Sequence, residues 1–589
     1  MERSSVVRFA ATLVLAAVAA APVVAASLPA VEAEHAMVVA DQRLAAEAGL
    51  AILRQGGNAV DAAVATGYAL AVTHPCCGNL GGGGFMLIRF ANGEETFIDF
   101  RETAPAAASE TMYQDAQGNP IRNASLRGWR AAGVPGTVAG FETALAAYGR
   151  LSRRQVMAPA IHLAWDGFLL TRGDTDILDF GGSVFAGDET ARRIFRRPDG
   201  TPLLPGDRLV QPDLGRTLAT IARSGPNAFY RGPIAQQLVR ASAAGGGILT
   251  AADLAGYSAI ERTPLHCDYR GYQVTSAPPP SGGGTTLCEI LNILEGYDLH
   301  ESGFASARSV HVMAEAMRHA FLDRNTSLGD PAFIANPLDR LLSKDYAAAI
   351  RQGIAADRAT PSEAVQPGVD PHEKPETTHY SVVDSEGNAV AVTFTLNGLF
   401  GAGVMAPGTG FFLNDEMDDF SIRPGVPNLF SLVQGRANVI APGKRPLSSM
   451  APTIVVKDGH LFLVVGSPGG SRIISVVLEV LTNIIDFAMK PQEAVDAPRF
   501  HHQWLPDRLF AEPFALSPDT AALLSGMGYE LATQTSWGAA GLIERAPDQA
   551  GAGGPATSGN DAARSGALRP GRLYGACDSR RPAGAAVGY

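Results

Sequence analysis

The sequence is poor in cysteine. Its five cysteines, Cys76, Cys77, Cys267, Cys288 and Cys577, form neither a C-x-x-C motif nor a zinc spacing in 589 residues. This excludes a disulfide-dense scaffold and argues against a metal site, although an oxidising compartment would permit a bridge. Positive charge is also short, with 47 Lys and Arg against 58 Asp and Glu and a net charge of −11. Nonspecific nucleic-acid binding needs basic patches, so a chain of this balance is expected to act on small molecules rather than on nucleic acid. Long apolar runs are missing beyond the N-terminus. The one run, Phe9 to Val24, follows Arg3 and Arg8 and ends in small residues. That layout predicts a secretory signal peptide over residues 1–26, cut before Ser27. An uncleaved anchor is the alternative, disfavoured because the run is shorter than the roughly 20 residues a span prefers. With the signal removed no stable membrane span remains, and the mature protein is expected in a periplasm or outside the cell. The glycine run at 81–84 is not followed by G-K-[ST] and enters a strand, which points to close backbone packing rather than phosphate binding. Ser281, in P-P-S-G-G, lacks the G-x-S-x-G pattern of a nucleophile elbow and reads as a loop residue. Neither a 20–50-residue repeat nor a linker before Thr377 is visible, which predicts one compact body rather than the several domains its length alone would suggest.

What is present is a set of clear local signals. Helical spacing runs from Asp41 to Gln55 and stops at Gly56-Gly57; a second, alanine-rich helix over Ala59 to Val72 is apolar nearly all round and should be buried. Phe85 to Phe90 and Thr96 to Phe100 read as paired strands with Arg101 at their end, and residues 151–373 are mostly helical patterning broken by turns. The segment 354–375, dense in Pro, Glu, Asp and Ala, has little periodicity. Two alternating runs, Thr378 to Val383 and Ala389 to Thr395, flank a turn-rich stretch and predict a β-hairpin headed by Thr377. On the hairpin alone Thr377 is an ordinary strand-edge threonine. Were the chain cut before it, the freed α-amine, with an ordinary pKa of roughly 7.7–8.0, could serve as the base for its own hydroxyl. Further on, Pro452 to Lys457 and His460 to Val465 predict a second strand pair across Asp458-Gly459, and Pro468-Gly469-Gly470-Ser471-Arg472 opens a helix to about Phe487. His501-His502 lacks a nearby third ligand and reads as a packed structural pair.

The segment E-T-T-H-Y-S at 376–381 resembles the processing site of the γ-glutamyltransferases, N-terminal-nucleophile hydrolases whose precursor cleaves itself. The resemblance continues through G-G-N-A-V-D-A-A-V-A at 56–65, T-H-P-C-C-G-N-L-G-G-G-G-F-M at 73–86, I-D-F-R-E at 98–102, R-P-L-S-S-M at 445–450 and G-S-P-G-G-S-R at 466–472. It implies an α+β fold of the four-layer αββα sandwich type and cleavage of the Glu376–Thr377 bond. The products would be a large chain, 27–376, and a small catalytic chain, 377–589, held together as a heterodimer. It also implies that Thr377 is the nucleophile, with Thr395 bonded to its hydroxyl and Gly469 and Gly470 as the oxyanion hole. Arg101, Ser448 and Ser449 are implied to hold the α-carboxylate of the donor, and Asp419, Glu416 and Asn397 its ammonium. Related bacterial enzymes often carry Gln where this chain has Glu416. The implied reaction is double displacement on glutathione and other γ-glutamyl compounds, passing the group to water or to amino-acid or dipeptide acceptors, without a cofactor. A loop at 423–435 falls where the family can carry a lid; similar enterobacterial enzymes place a tyrosine there, and Phe430 keeps the ring without the hydroxyl, so any polar latch is expected to be weaker. Residues 550–572, rich in Gly, Ala, Ser and Pro, look like an inserted flexible loop.

Two rivals remain from the sequence. A related acylase of the same fold removes a glutaryl group and has no ammonium to bind, which Asp419 argues against. A periplasmic amino-acid-binding protein without turnover is disfavoured by the nucleophile and oxyanion motifs together.

Overall fold

The computed structural model describes residues 27–362, 377–548 and 568–589. The expected signal peptide, Glu376, residues 363–375 and residues 550–567 of the expected insertion lie outside them.

Two seven-stranded sheets form the centre. In the first, the order is Ala585–Gly588, Met37–Ala40, Thr377–Val383, Ala389–Thr395, Gly83–Arg89, Glu95–Asp99 and Ile260–Arg262. The second runs Val31–Ala33, Leu573–Cys577, Gly541–Arg545, His460–Gly466, Thr453–Lys457, Tyr272–Ser276 and Leu265–Tyr269. Every neighbouring pair in both sheets is antiparallel. Period-two alternation sorts the first sheet's side chains. Val38, Tyr380, Val382, Val390 and Val392 face a helical layer with Val64 and Leu70, whereas Met37, Val39, Phe85, Leu87 and Ala391 pack towards Val464 and Ile543 of the second sheet. Both faces are buried, so even the polar side chains of the central strands, among them Thr378, His379, Ser381 and Thr393, are packed inside. The result is the four-layer αββα sandwich that the sequence motifs implied.

Local chemistry explains the boundaries. The first helix, Arg43–Arg54, begins at Gln42, whose side chain accepts from the amides of Leu44 and Ala45. The next, Ala59–Thr73, starts with a reciprocal Asn58/Asp61 capping box and is buried along its whole length, as its all-round apolar sequence predicted. On the far side, Gly283–Leu294, Ala307–Ser327 and Ile473–Ile485 cover the second sheet. The hairpin forms in the register Thr377↔Thr395 to Val383↔Ala389. Asp458 (φ 51°) and Gly459 (φ 81°) supply the two left-handed residues that a two-residue hairpin turn requires.

The reading of 151–373 as mostly helical omitted a two-residue pair, Phe168–Leu169 with Arg208–Leu209, and three strands of the central sheets, Ile260–Arg262, Leu265–Tyr269 and Tyr272–Ser276. The last two join through Arg270 (φ 50°) and Gly271 (φ 80°), another turn of the same kind. A disulfide between Cys267 and Cys288 ties this hairpin to the helix Gly283–Leu294. No described helix is long and apolar enough to cross a membrane.

Candidate active site

Thr377 is the first residue of a strand held on both sides in the middle of the sheet. Its hydroxyl lies 3.4 Å from that of Thr395, its direct cross-strand partner. Thr395 Oγ1 accepts from the Asn397 amide at 2.9 Å, and Asn397 itself has a left-handed backbone (φ 72°) that turns the chain out of the strand. Asn397 Nδ2 donates to the Asp415 carbonyl at 3.0 Å, leaving Oδ1 as the end of this amide that can accept from a ligand.

Arg101, Thr377, Thr395, Asn397, Glu416, Asp419, Ser448, Ser449 and Gly470 line one small cavity, closed by Phe430, Met450 and Ile473. Gly469, the other expected oxyanion glycine, is outside that lining but adjacent to Gly470; the two have φ of 138° and 56°, and Gly470 opens a 3₁₀ turn that leads into Ile473–Ile485. The first amides of such a turn have no intrahelical acceptor and are free to meet developing negative charge.

The electrostatics differ from the expected separation into a cationic and an anionic end. Arg101, fully buried, directs Nη1 to Glu416 and Nη2 to Asp419 in close ion pairs, with Glu102 3.6 Å from Nη1. Its Nε donates to the Pro446 carbonyl at 3.2 Å, which pins the stem. One guanidinium thus faces three carboxylates. Burial opposes its charge, but Glu416, Asp419 and Glu102 outweigh that and hold it protonated. Burial likewise pushes Glu102 up to about 8, against the pull of Arg101, and drives Glu416 well above the usual carboxylate range. Asp419 is fixed from behind, its carbonyl accepting from Gln434 Nε2 (3.1 Å) and Asn438 Nδ2 (2.7 Å).

Ser448 and Ser449 have hydroxyls that already accept from the protein. The Met450 amide donates to Ser448 Oγ at 3.1 Å and Arg324 Nη2 donates to Ser449 Oγ at 2.7 Å, so each hydroxyl proton is left for a ligand. Ser281 is a loop residue, as expected, and its Oγ donates to the Met450 carbonyl at 2.6 Å, bracing the same wall.

The loop at 423–435 has a polar latch, made by atoms other than a ring hydroxyl. Gln503 Nε2 donates to the Phe430 carbonyl at 3.0 Å, while Gln503 Oε1 accepts from Ser471 Oγ at 2.7 Å, beside the glycine turn. The Phe430 ring lies so close to Gly470 that a Cβ there would be 2.4 Å from it. His501 and His502 are both buried; His501 shares hydrogen bonds with Ser475 (2.9 Å) and Gln503 (2.9 Å), and His502 faces Asp507 at 3.3 Å. Arg324 and Gln503 escaped sequence reasoning. Nothing in either neighbourhood sets them apart from an ordinary helix arginine and an ordinary loop glutamine.

Among the described residues, His74, Cys76 and Cys77 are the group whose donor atoms could meet one metal ion, all within 4.8 Å of one another. Burial pushes the Cys77 thiol well up, away from the thiolate a metal needs, and Cys76 Sγ is instead 3.4 Å from His74 Nε2.

The model of the gamma-glutamyltranspeptidase family matches residues 45–587. A glutathione hydrolase proenzyme of Pseudomonas sp. strain A14 is 53% identical over 566 residues, covering 96% of each chain. Another, from Escherichia coli K12, is 50% identical over 561 residues and covers 95% of this chain and 93% of its own. Among solved structures, a cephalosporin acylase from Bacillus halodurans superposes with a TM-score of 0.81 at 27% identity, covering 97% of this chain and 98% of that one. The acylase shares the fold at a much greater sequence distance than the two hydrolases. On this evidence the chain belongs to the gamma-glutamyltranspeptidase family.

Proposed function

We propose that the protein is a γ-glutamyltransferase and glutathione hydrolase, made as a precursor that cuts itself before Thr377. The observation that carries the reading is the single cavity in which Thr377, Thr395 and Gly470 meet the cation and carboxylates suited to a free α-amino acid head. In maturation the Thr377 hydroxyl attacks the carbonyl carbon of Glu376; the C–N bond breaks, which frees the Thr377 amine and leaves an ester on Oγ1, and water then cleaves that ester to the Glu376 carboxylate and the Thr377 hydroxyl. In turnover that amine takes the proton of the Thr377 hydroxyl as Oγ1 attacks the γ-carbonyl of the donor. Amides of Gly469 and Gly470 stabilise the oxyanion. The proton passes to the departing amine, cysteinylglycine when glutathione is the donor, and leaves a γ-glutamyl ester on Thr377. Water, an amino acid or a dipeptide then resolves it.

The head of the donor is a zwitterion. Ser448, Ser449 and Arg101 receive its carboxylate, and its ammonium joins Asp419, Glu416 and Asn397 Oδ1, so the ion pairs that Arg101 now makes are shared with the substrate's own charges. Export to a periplasm or the exterior follows from the expected signal at 1–26. The test is to incubate purified protein with glutathione and quantify glutamate and cysteinylglycine. A glutaryl acylase would instead prefer the donor lacking the amino group, and a binding protein would release neither product.

A further inference from the structure

We infer that Arg324 is a positioning residue for the α-carboxylate of the donor, acting through Ser449; the inference rests on the proposed γ-glutamyl reading of the cavity. Arg324 lies near the end of the helix Ala307–Ser327 and is 1% exposed. Its Nη2 donates to Ser449 Oγ at 2.7 Å and its Nη1 to the side chain of its neighbour Asn325 at 2.9 Å. Its Nε has no acceptor, and no carboxylate is in ion-pair contact with it among the described residues. A buried cation left without a counter-charge is costly, and an anion arriving nearby relieves that cost.

The cavity beside it needs such a cation. Asp419 already balances the charge of Arg101 and Glu416 occupies its Nη1, so on its own Arg101 gives the carboxylate end little surplus positive charge. Arg324 supplies that surplus from one layer back. By donating into Ser449 Oγ it orients the hydroxyl with its proton towards the ligand, and its charge makes that proton a stronger donor. Burial and the neighbouring charge of Arg101 both bring Arg324 down, to about 10, while Asp419 opposes them, so the guanidinium remains charged at neutral pH. The wall is shaped for it. Gly282 lies against the arginine stem, where a Cβ would sit 3.0 Å from Arg324 Cγ and 3.2 Å from Nε. The Gly282 amide also donates to the Ser448 carbonyl at 2.8 Å, so the arginine and the two serines belong to one braced unit.

The experiment compares two anilide donors, γ-glutamyl and 4-aminobutanoyl, which differ only in the α-carboxylate. They are assayed with the parent enzyme and with Arg324→Gln, Arg324→Lys, Ser449→Ala and the Arg324→Gln/Ser449→Ala pair, each checked for maturation by intact mass. Where turnover is too slow, each donor's Ki as a competitor replaces its KM. Arg324→Gln is expected to raise KM for the γ-glutamyl donor about 10- to 100-fold, the range for a charge-assisted hydrogen bond, with kcat within about threefold. Arg324→Lys should recover most of that loss. The 4-aminobutanoyl donor should change by less than about threefold, and in the Ser449→Ala background Arg324→Gln should add less than about threefold. Equal losses on both donors, or a loss that simply multiplies with Ser449→Ala, would overturn the inference. Should Arg324→Gln fail to mature, Arg324→Lys carries the same comparison, and a donor-independent loss in it overturns the inference equally. A parent enzyme that does not turn over the γ-glutamyl donor at all refutes the functional reading instead.

Discussion

Replacing Asp419 by alanine separates substrate class from fold. The Asp419 side chain is about one-tenth exposed, opens onto the cavity and pairs with Arg101. If it also meets the ammonium of the donor, truncation strands that charge in a nearly dry site, at about 2–5 kcal/mol for one partner of such a pair. That predicts a fall of roughly 30-fold to several thousandfold in kcat/KM for a γ-glutamyl anilide. The fold should suffer less than the about 3–5 kcal/mol usual when a buried ion is orphaned, because Arg101 keeps Glu416 and Glu102. Maturation needs no substrate ammonium and should proceed. The decisive comparison is a glutaryl anilide, which has the carboxylate and lacks the amine. It should be a poor donor for the parent and lose less than about threefold in the variant, since Asp419→Ala also frees part of Arg101 for the carboxylate. Equal proportional losses on both donors, measured as kcat/KM on protein verified as cleaved, would refute the reasoning and make Asp419 a structural partner of Arg101.

Other outcomes are expected from the same geometry. Thr377→Ala should yield a single inactive chain by intact mass, and two chains from that variant would sink self-processing. Gly470→Ala places a Cβ 2.4 Å from the Phe430 ring at φ +56°, so the loop at 423–435 and the Gly470 amide must both shift; a loss of about 100-fold or more in kcat is expected, and parental activity would rule out the proposed oxyanion role of this turn. Gly469→Ala meets nothing nearer than 3.6 Å, so only its φ of +138° opposes it and its effect should be smaller. Burial holds His379 at about 3, from an ordinary 6.5, so it is neutral in the fold and takes up a proton on unfolding below 6.5. Its contribution is therefore present above pH 6.5 and lost as pH falls towards 3; His379→Gln should lower proton uptake on urea unfolding between pH 4 and 7 by up to about one, and an unchanged pH slope would contradict this.

Period-two runs made the central hairpin legible in the sequence, and Asp458-Gly459 announced the turn between Thr453–Lys457 and His460–Gly466. The buried helix over Ala59–Thr73 was readable for the same reason: its composition left no polar face. Strands at 260–276 were not, because they are short and sit among helices, and Tyr272–Ser276 pairs with Thr453–Lys457, a partner remote in sequence. Roles at the site came from motif resemblance, and the described positions it named, apart from Gly469, do line one cavity. What no motif could state is how the charges share one another. Arg101 bonds to the very acids expected at the other end of the pocket, and Arg324 reaches Ser449 from a helix more than a hundred residues away in sequence. The fastening of the loop at 423–435 was hidden for a related reason: Gln503 grips the carbonyl of Phe430, and a backbone atom carries no signature in the side chain above it.

The order of strands gives the proposed cut before Thr377 a mechanical meaning. In the first sheet Met37–Ala40 is flanked by Ala585–Gly588 and Thr377–Val383, while Ala389–Thr395 leans on Gly83–Arg89; in the second, Val31–Ala33 borders Leu573–Cys577 and Tyr272–Ser276 borders Thr453–Lys457. Were the backbone severed there, the two pieces would stay laced together at five strand seams spread over both layers. Pulling them apart means unzipping both sheets and exposing the apolar filling between them, so dilution should not dissociate the pair, and exchange of pieces between molecules should be no faster than unfolding itself.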